Sequence, residues 1–366
     1  MEDFVTVSVK NTAPYDVLIR SDFSSLSERM SALFDEKCRL CIIADKNVSK
    51  LYGEEVISEL KKIYENVDMI ELELGEANKS LDTVSKCYSY MLEKKYSRKD
   101  AVVALGGGIC GDLAGFVSAT YMRGIGFVQI PTTLLSMVDS SSGGKTGVNF
   151  DDYKNMVGAF KMPALVYINT TVLNSLPDRE YASGMAEVLK SGLIKDGLFY
   201  EWLINNFTQI NERDTEYVSE MLYKCINIKR LYVEKDPYEK NERAILNFGH
   251  TIGHALEKYT DFEYSHGECV ALGSVAAAYI SLKKEYLSAE EYYEIRDMFV
   301  PFELPISLEN IDIDKVVEYT KSDKKNSSGN IRFILLKKIG KGIISEDVTE
   351  DDIREAVRQI NFDPND

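Results

Sequence analysis

The chain has 366 residues, 45% of them hydrophobic and 28% charged, which suits a folded globular protein long enough for two domains. Its formal net charge of −16 repels nucleic acid and anionic membrane surfaces, and argues against either as a partner. No apolar run reaches the ~18 residues of a membrane span, and the acidic start MEDFVTVSVK lacks the basic-then-apolar pattern of a secretory leader, so a cytoplasmic protein is expected.

That start alternates like a strand. Apolar runs over 38–45 (CRLCIIAD), 67–74, 100–105 (DAVVAL), 126–131 (GFVQIP) and 164–169 (ALVYIN) predict further strands, and helical spacing fills 48–64 and 80–96. Such alternation predicts a parallel sheet covered on both faces, with ligands at the carboxyl ends of its strands near a switch in strand order. From about Asp178 the spacing turns helical, over 179–194, 215–233 and 249–259, and strand texture returns only near IRFILLKKIG. The expected organisation is an α/β nucleotide-binding half over 1–177 and a mainly helical half over 178–366, with the site in the cleft between them. The six cysteines are Cys38, Cys41, Cys87, Cys110, Cys225 and Cys269; the only closely spaced pair, CRLC, lies on an apolar strand, where positions three apart point to opposite faces. They read as core thiols of a reducing compartment.

Three stretches can carry chemistry. In ALGGGICGDLAGF, Gly106, Gly108 and Gly111 form a G-x-G-x-x-G after an apolar strand and at the start of a helix, the context of a dinucleotide site. No acidic residue ends a strand ~20 residues later, as the standard fingerprint requires. Asp45, in IIADKN, does end an earlier strand and can accept from ribose hydroxyls; a purely structural glycine turn is the competing reading. SSSGGKTGVN looks like a nucleotide-hydrolase P-loop, but Asp139 stands where the first glycine belongs and a helical pattern precedes it. What remains is a glycine-rich turn with an exposed lysine, or a different anionic site served by Lys145.

The histidines are only three, His250, His254 and His266, all within seventeen residues. His250 and His254 share a helix face; no H-E-x-x-H is present, and Glu187 in GMAEVLK offers a carboxylate for a metal. Histidines that merely cap or pack helices are the alternative. Lys79, Arg123, Lys145, Lys154, Lys190, Lys229, Arg243, Lys324 and Lys325 are individually unremarkable surface cations, but together they suit a small anionic substrate bearing phosphate and carboxylate.

With YKNMVGAF, LPDREYASGMAEVLK, LNFGHTIGHALE and HGECVALG added, in this order and spacing, the chain resembles the 3-dehydroquinate synthases from ADKN to SDKKN. The resemblance implies a dehydroquinate synthase-like fold, with an α/β N-terminal Rossmann-like domain and an all-α C-terminal domain, and conversion of 3-deoxy-D-arabino-heptulosonate 7-phosphate to 3-dehydroquinate and phosphate, in the shikimate route to aromatic amino acids. It implies NAD, a divalent metal (zinc, with cobalt possible) and a homodimer. It places the metal on Glu187, His250 and His266, and NAD against Asp45, Asn47, Glu76, Lys79, Gly107, Gly108, Asp112, Thr132 and Thr133. Substrate would meet Asp139, Lys145, Lys154, Asn155, Lys190, Lys229, Arg243, Asn247, His254 and Lys324 or Lys325, with Arg123 reaching across the dimer toward the phosphate. His254, Lys145, Lys190 and Asn155 would serve catalysis, His254 as the proton-handling or orienting group. Ser142 stands where the family usually has valine, Gly147 where it has alanine, and EKNER replaces its Glu-x-Gly-Leu-Arg while keeping Arg243. The alternatives are another NAD- and metal-dependent sugar-phosphate cyclase and a glycerol dehydrogenase-like polyol dehydrogenase. The second has little use for so many phosphate-type cations.

Overall fold

A computed structural model describes residues 4–73, 75–151, 153–322 and 332–362. The chain divides into two compact units. The first comprises 1–176 and 218–238, the second 177–217 and 239–366. The single division expected at 177/178 makes no provision for the return of 218–238 to the first unit.

Among the described residues the first unit has nine strands: β1 (Phe4–Val7), β2 (Tyr15–Arg20), β3 (Leu40–Asp45), β4 (Val67–Leu72), β5 (Ala101–Gly106), β6 (Gly126–Pro131), β7 (Lys145–Phe150), β8 (Tyr153–Phe160) and β9 (Leu165–Asn169). Seven form one sheet in the order β1-β2-β9-β6-β5-β3-β4, parallel throughout except for β1. β3, β5, β6 and β9 are apolar on both faces because helices cover both faces, as in parallel sheets generally. From β3 the chain steps outward to β4 and then back to the other side of β3 for β5, so the order switches between β3 and β5. Asp45 and Gly106 end those two strands. The Leu81–Glu93 and Gly108–Thr120 helices close one face over a core that includes Cys41, Ile43, Val84, Cys87, Met91, Val102, Leu113 and Phe127. β7 and β8 form a separate hairpin whose inner residues Val148, Val157 and Ala159 lie on the same core.

The second unit is mainly helical. Its His266–Lys283 helix is buried nearly all round, as the run VALGSVAAAYI requires, and packs against the Asp178–Lys195, His250–Tyr259, Ala289–Asp297 and Glu350–Gln359 helices. Among the described residues two short strand pairs qualify the all-α expectation: β10 (Leu308–Glu309) with β13 (Asn361–Phe362), and β11 (Phe333–Lys338) with β12 (Lys341–Ser345). All six cysteines are buried free thiols, and burial pushes those of Cys38, Cys87 and Cys110 up to about 12. Among the described residues no helix is long and apolar enough to cross a membrane.

Candidate active site

At the switch point of the sheet, β5 runs through Gly106 and Gly107 into the Gly108–Thr120 helix, whose first turn has no side-chain cap. Its leading N–H groups therefore face the crevice beyond the strand ends, where the helix dipole favours an anion. A Cβ on Gly107 would press on the Thr133 methyl at 3.0 Å, so the lining is already tight. The neighbouring Thr132 hydroxyl is buried with no hydrogen-bond partner among the described residues. An uncapped helix start and an orphan hydroxyl beside a glycine turn fit a dinucleotide's phosphates and ribose. Asp45, at the end of β3, accepts from the backbone N–H groups of Asn47 (2.8 Å) and Val48 (3.2 Å), so it shapes the turn that carries Asn47. Thr133 is tied to the Ser136 hydroxyl at 2.9 Å.

A second group of expected residues meets around Lys79. The buried Lys79 ammonium lies 2.6 Å from the Asp112 carboxylate and also donates to Asn155 Oδ1. Burial raises the Asp112 pKa, with Lys79 opposing that shift. Glu76 accepts from the Asn149 amide at 2.8 Å and has Lys154 at 3.9 Å. The GEANKS segment and the β7–β8 hairpin, taken separately for cofactor and substrate, thus form one polar cluster. Lys145 opens β7 and is exposed, preceded by Gly143 and Gly144 at φ 94° and 70°; the stretch that mimics a P-loop is a turn running into a strand, not into a helix. Asp139 sits on a wide helical turn (Ser136–Ser140) and accepts from the buried Lys229 ammonium at 2.6 Å, with its own carbonyl as a further acceptor. Arg123 is exposed between Met122 and Gly124, three successive residues at φ 49°, 68° and 115°.

In the second unit Glu187 and Lys190 lie one turn apart on the Asp178–Lys195 helix, both fully buried, with the ammonium on Glu187 Oε2. His250 and His266 each begin a helix. Glu187 Oε1 lies 3.5 Å from His250 Nε2 and 3.5 Å from His266 Nε2. Ligands at zinc distances of ~2.0–2.1 Å on a tetrahedral ion are spaced by ~3.3 Å, so this triad has the size of a metal's coordination edge. The outer nitrogens fix the rings: His250 Nδ1 donates to the Phe248 carbonyl at 3.1 Å, and His266 Nδ1 to Glu257 Oε1 at 2.6 Å. Both Nε2 atoms are thereby aimed at Glu187, the arrangement that readies imidazole for a cation. Burial, reinforced by the charge of Lys190, pushes His250 down to about 3. Burial works the same way on His266, but its hydrogen bonds to Glu187 and Glu257 outweigh it and raise the ring to about 10.

Two glycines permit this convergence. A Cβ on Gly267 would lie 2.1 Å from the Ser183 carbonyl oxygen, and Gly249, at φ 79°, turns the chain into His250 with Ser274 Oγ only 2.4 Å from where a Cβ would be. The His254 ring stands 5.3 Å from that of His250 and 6.1 Å from that of His266. Arg243 is buried on the short turn before His250, and Asn247, on the same turn, donates to Glu239. Lys324 and Lys325 lie outside the described residues. Glu257 was not anticipated from the sequence; its signal is its place three residues after His254 and seven after His250, on the same helix face.

The sequence pattern of the 3-dehydroquinate synthase N-terminal domain matches residues 69–183, and that of the C-terminal domain matches residues 184–326. The chain belongs to the 3-dehydroquinate synthase family. It is 41% identical over 335 residues to the 3-dehydroquinate synthase of Ruminiclostridium cellulolyticum, covering 92% of this chain and 93% of that one. Among solved structures it is similar to 2-epi-5-epi-valiolone synthase (ValA) from Streptomyces hygroscopicus subsp. jinggangensis, with NAD+ and Zn2+ bound: TM-score 0.88, 26% identity, 97% of this chain and 98% of that one. It is also similar to 2-deoxy-scyllo-inosose synthase complexed with carbaglucose-6-phosphate, NAD+ and Co2+: TM-score 0.87, 26% identity, 97% and 99% covered.

Proposed function

We propose that this chain is a 3-dehydroquinate synthase that converts 3-deoxy-D-arabino-heptulosonate 7-phosphate to 3-dehydroquinate and phosphate, with NAD and a divalent cation, as a cytoplasmic homodimer. The observation that carries the reading is the convergence of Glu187 Oε1 with His250 Nε2 and His266 Nε2 at metal-ligand spacing, in a chain of this family. Zinc suits two imidazoles and a carboxylate, and cobalt accepts the same set. Bound NAD would remove a hydride from the substrate's C5 hydroxyl carbon and later return it, and the cation would polarise substrate oxygens.

The chain's own residues do the remaining work. Asp45, Asn47, Gly107, Gly108, Thr132 and Thr133 hold NAD at the switch point, and Glu76, Lys79 and Asp112 hold it from the adjoining cluster. Lys190 fixes the outer oxygen of Glu187 and so keeps the inner one pointed at the cation. Lys145, Lys154, Lys229 and Arg243 offset the substrate's phosphate and carboxylate charges, with Arg123 of a second copy directed to the phosphate. Asp139, Asn155 and Asn247 take its hydroxyls, and His254 carries or orients the proton that leaves beside the C5 carbon. Because the hydride is returned, phosphate release from the heptulosonate phosphate should proceed without NADH accumulating. Steady growth of NADH absorbance would instead indicate a polyol dehydrogenase, and faster turnover of sedoheptulose 7-phosphate would indicate a different cyclase.

A further inference from the structure

Asn149 lies one residue before the end of β7, at a register irregularity between Val148 and Phe150 that leaves it out of the ladder with β8. Bulges of this kind redirect a residue at the edge of a site. Freed from the ladder, the Asn149 N–H donates to the Lys79 carbonyl at 2.8 Å. Its side-chain amide donates to the Glu76 carboxylate at 2.8 Å and to the Glu76 carbonyl at 3.1 Å. Its Oδ1 accepts from the Asn155 N–H at 2.9 Å, and Asn155 is itself held at φ 55° in the left-handed region. The amide orientation is dictated by these partners: the oxygen faces an N–H donor and the nitrogen faces two acceptors. One residue therefore ties both ends of the Glu76–Lys79 segment to the start of β8, which presents Lys154 and Asn155.

We propose that Asn149 is a positioning residue that couples cofactor binding to substrate binding. The proposal rests on the assignment of Glu76 and Lys79 to NAD and of Lys154 and Asn155 to substrate. When NAD engages the segment bearing Glu76, Asn149 passes the ordering to Asn155, and substrate on Asn155 returns it. Such coupling is reciprocal, so each ligand tightens the other by the same factor.

The test measures NAD affinity by fluorescence titration, with and without the products 3-dehydroquinate and inorganic phosphate, on the full chain loaded with zinc. In the wild type the products should tighten NAD roughly fivefold, the low end of ordinary site-to-site coupling. Asn149→Ala should bring that factor close to one while weakening NAD and raising the substrate KM. Asn149→Asp keeps the acceptor for Asn155 but sets a second carboxylate against Glu76. It should weaken NAD more than Asn149→Ala does, and it serves if the alanine variant melts early. A fivefold factor that survives in both variants, or a wild type without coupling, overturns the proposal. Lys79→Met tests the underlying assignment separately. Unchanged NAD affinity there removes the cofactor reading of the segment, whereas lost NAD affinity with coupling intact in the Asn149 variants removes only the proposal.

Discussion

The substitution Gly267→Ala should cost the protein its metal before it costs the protein its fold. Gly267 is the second residue of the His266–Lys283 helix, and its N–H donates to the Ser183 hydroxyl at 3.0 Å. An added Cβ would sit 2.1 Å from the Ser183 carbonyl oxygen and 2.4 Å from its Cα, backbone atoms that cannot swing aside. Restoring ordinary contact requires the two helices to part by about 1.3 Å. Glu187 is one turn beyond Ser183, and His266 adjoins Gly267, so parting along their line would lengthen the 3.5 Å separation of their ligand atoms to about 4.8 Å. Two atoms bound to one zinc at ~2.1 Å each stand at most ~4.2 Å apart. The altered pair therefore cannot share an ion, and zinc affinity should fall by at least 100-fold, while overpacking costs about 1–3 kcal/mol of stability. Zinc content after equilibrium dialysis against a zinc buffer, with circular dichroism to follow folding, provides the measurement. Ser183→Ala removes the hydroxyl without adding bulk and should stay within about fivefold of wild type. A folded Gly267→Ala protein with wild-type zinc affinity would refute the claim that this close approach sets the ligand spacing.

Other changes bear on different contacts. Glu257→Gln removes the charge that holds His266 Nδ1, and should weaken zinc roughly 10–100-fold with little change in melting temperature; unchanged affinity would reduce Glu257 to packing. Because His266 is raised to about 10, its ring is protonated at neutral pH and a cation must displace that proton, whereas His250, lowered to about 3, has none to lose. Zinc binding at pH 8 should therefore release about one proton, and apparent affinity should weaken about tenfold for each unit the pH falls between roughly 9 and 7; calorimetry in buffers of different ionisation enthalpy reads the proton directly, and no release would contradict the assignment. Ser142→Ala removes a buried hydroxyl with no hydrogen-bond partner among the described residues, and should raise the melting temperature by about 2 °C, with a fall of that size telling against the orphan.

The strands most legible in the sequence were those buried on both faces. DAVVAL and GFVQIP are continuous apolar runs bounded by charge or glycine, and β5 and β6 lie within a residue of where those runs predict. β2 went unseen because YDVLIR carries charge at two positions, and its place in the sheet is set by β9, some 150 positions along the chain, as well as by β1. β7 and β8 escaped for another reason. β8 is exposed along most of its length and β7 buries the short run Thr146, Gly147 and Val148, so KTGVNF and YKNMVGAF carry no alternation worth reading. In the site, the scarcity of histidine pointed to His250, His254 and His266. Glu257 holds His266 and Asn149 holds Glu76 and Asn155, yet they look like any other helix glutamate or strand asparagine until the fold brings their partners in.

The return of 218–238 to the first unit has a consequence for how the protein is made. Asp139 meets its lysine only ninety positions later, at Lys229, on a segment reached after the intervening 177–217 has been assigned to the other unit. A chain emerging from the ribosome can assemble the seven-stranded sheet early, yet it cannot finish that unit until the second has been started. A single cut anywhere in the gene therefore fails to separate the two as whole bodies: a fragment ending at 176 lacks the Thr215–Lys235 helix that carries Lys229, and one beginning at 177 carries it as a stray. The units are bound to each other by the order of the codons as well as by any chemistry they share.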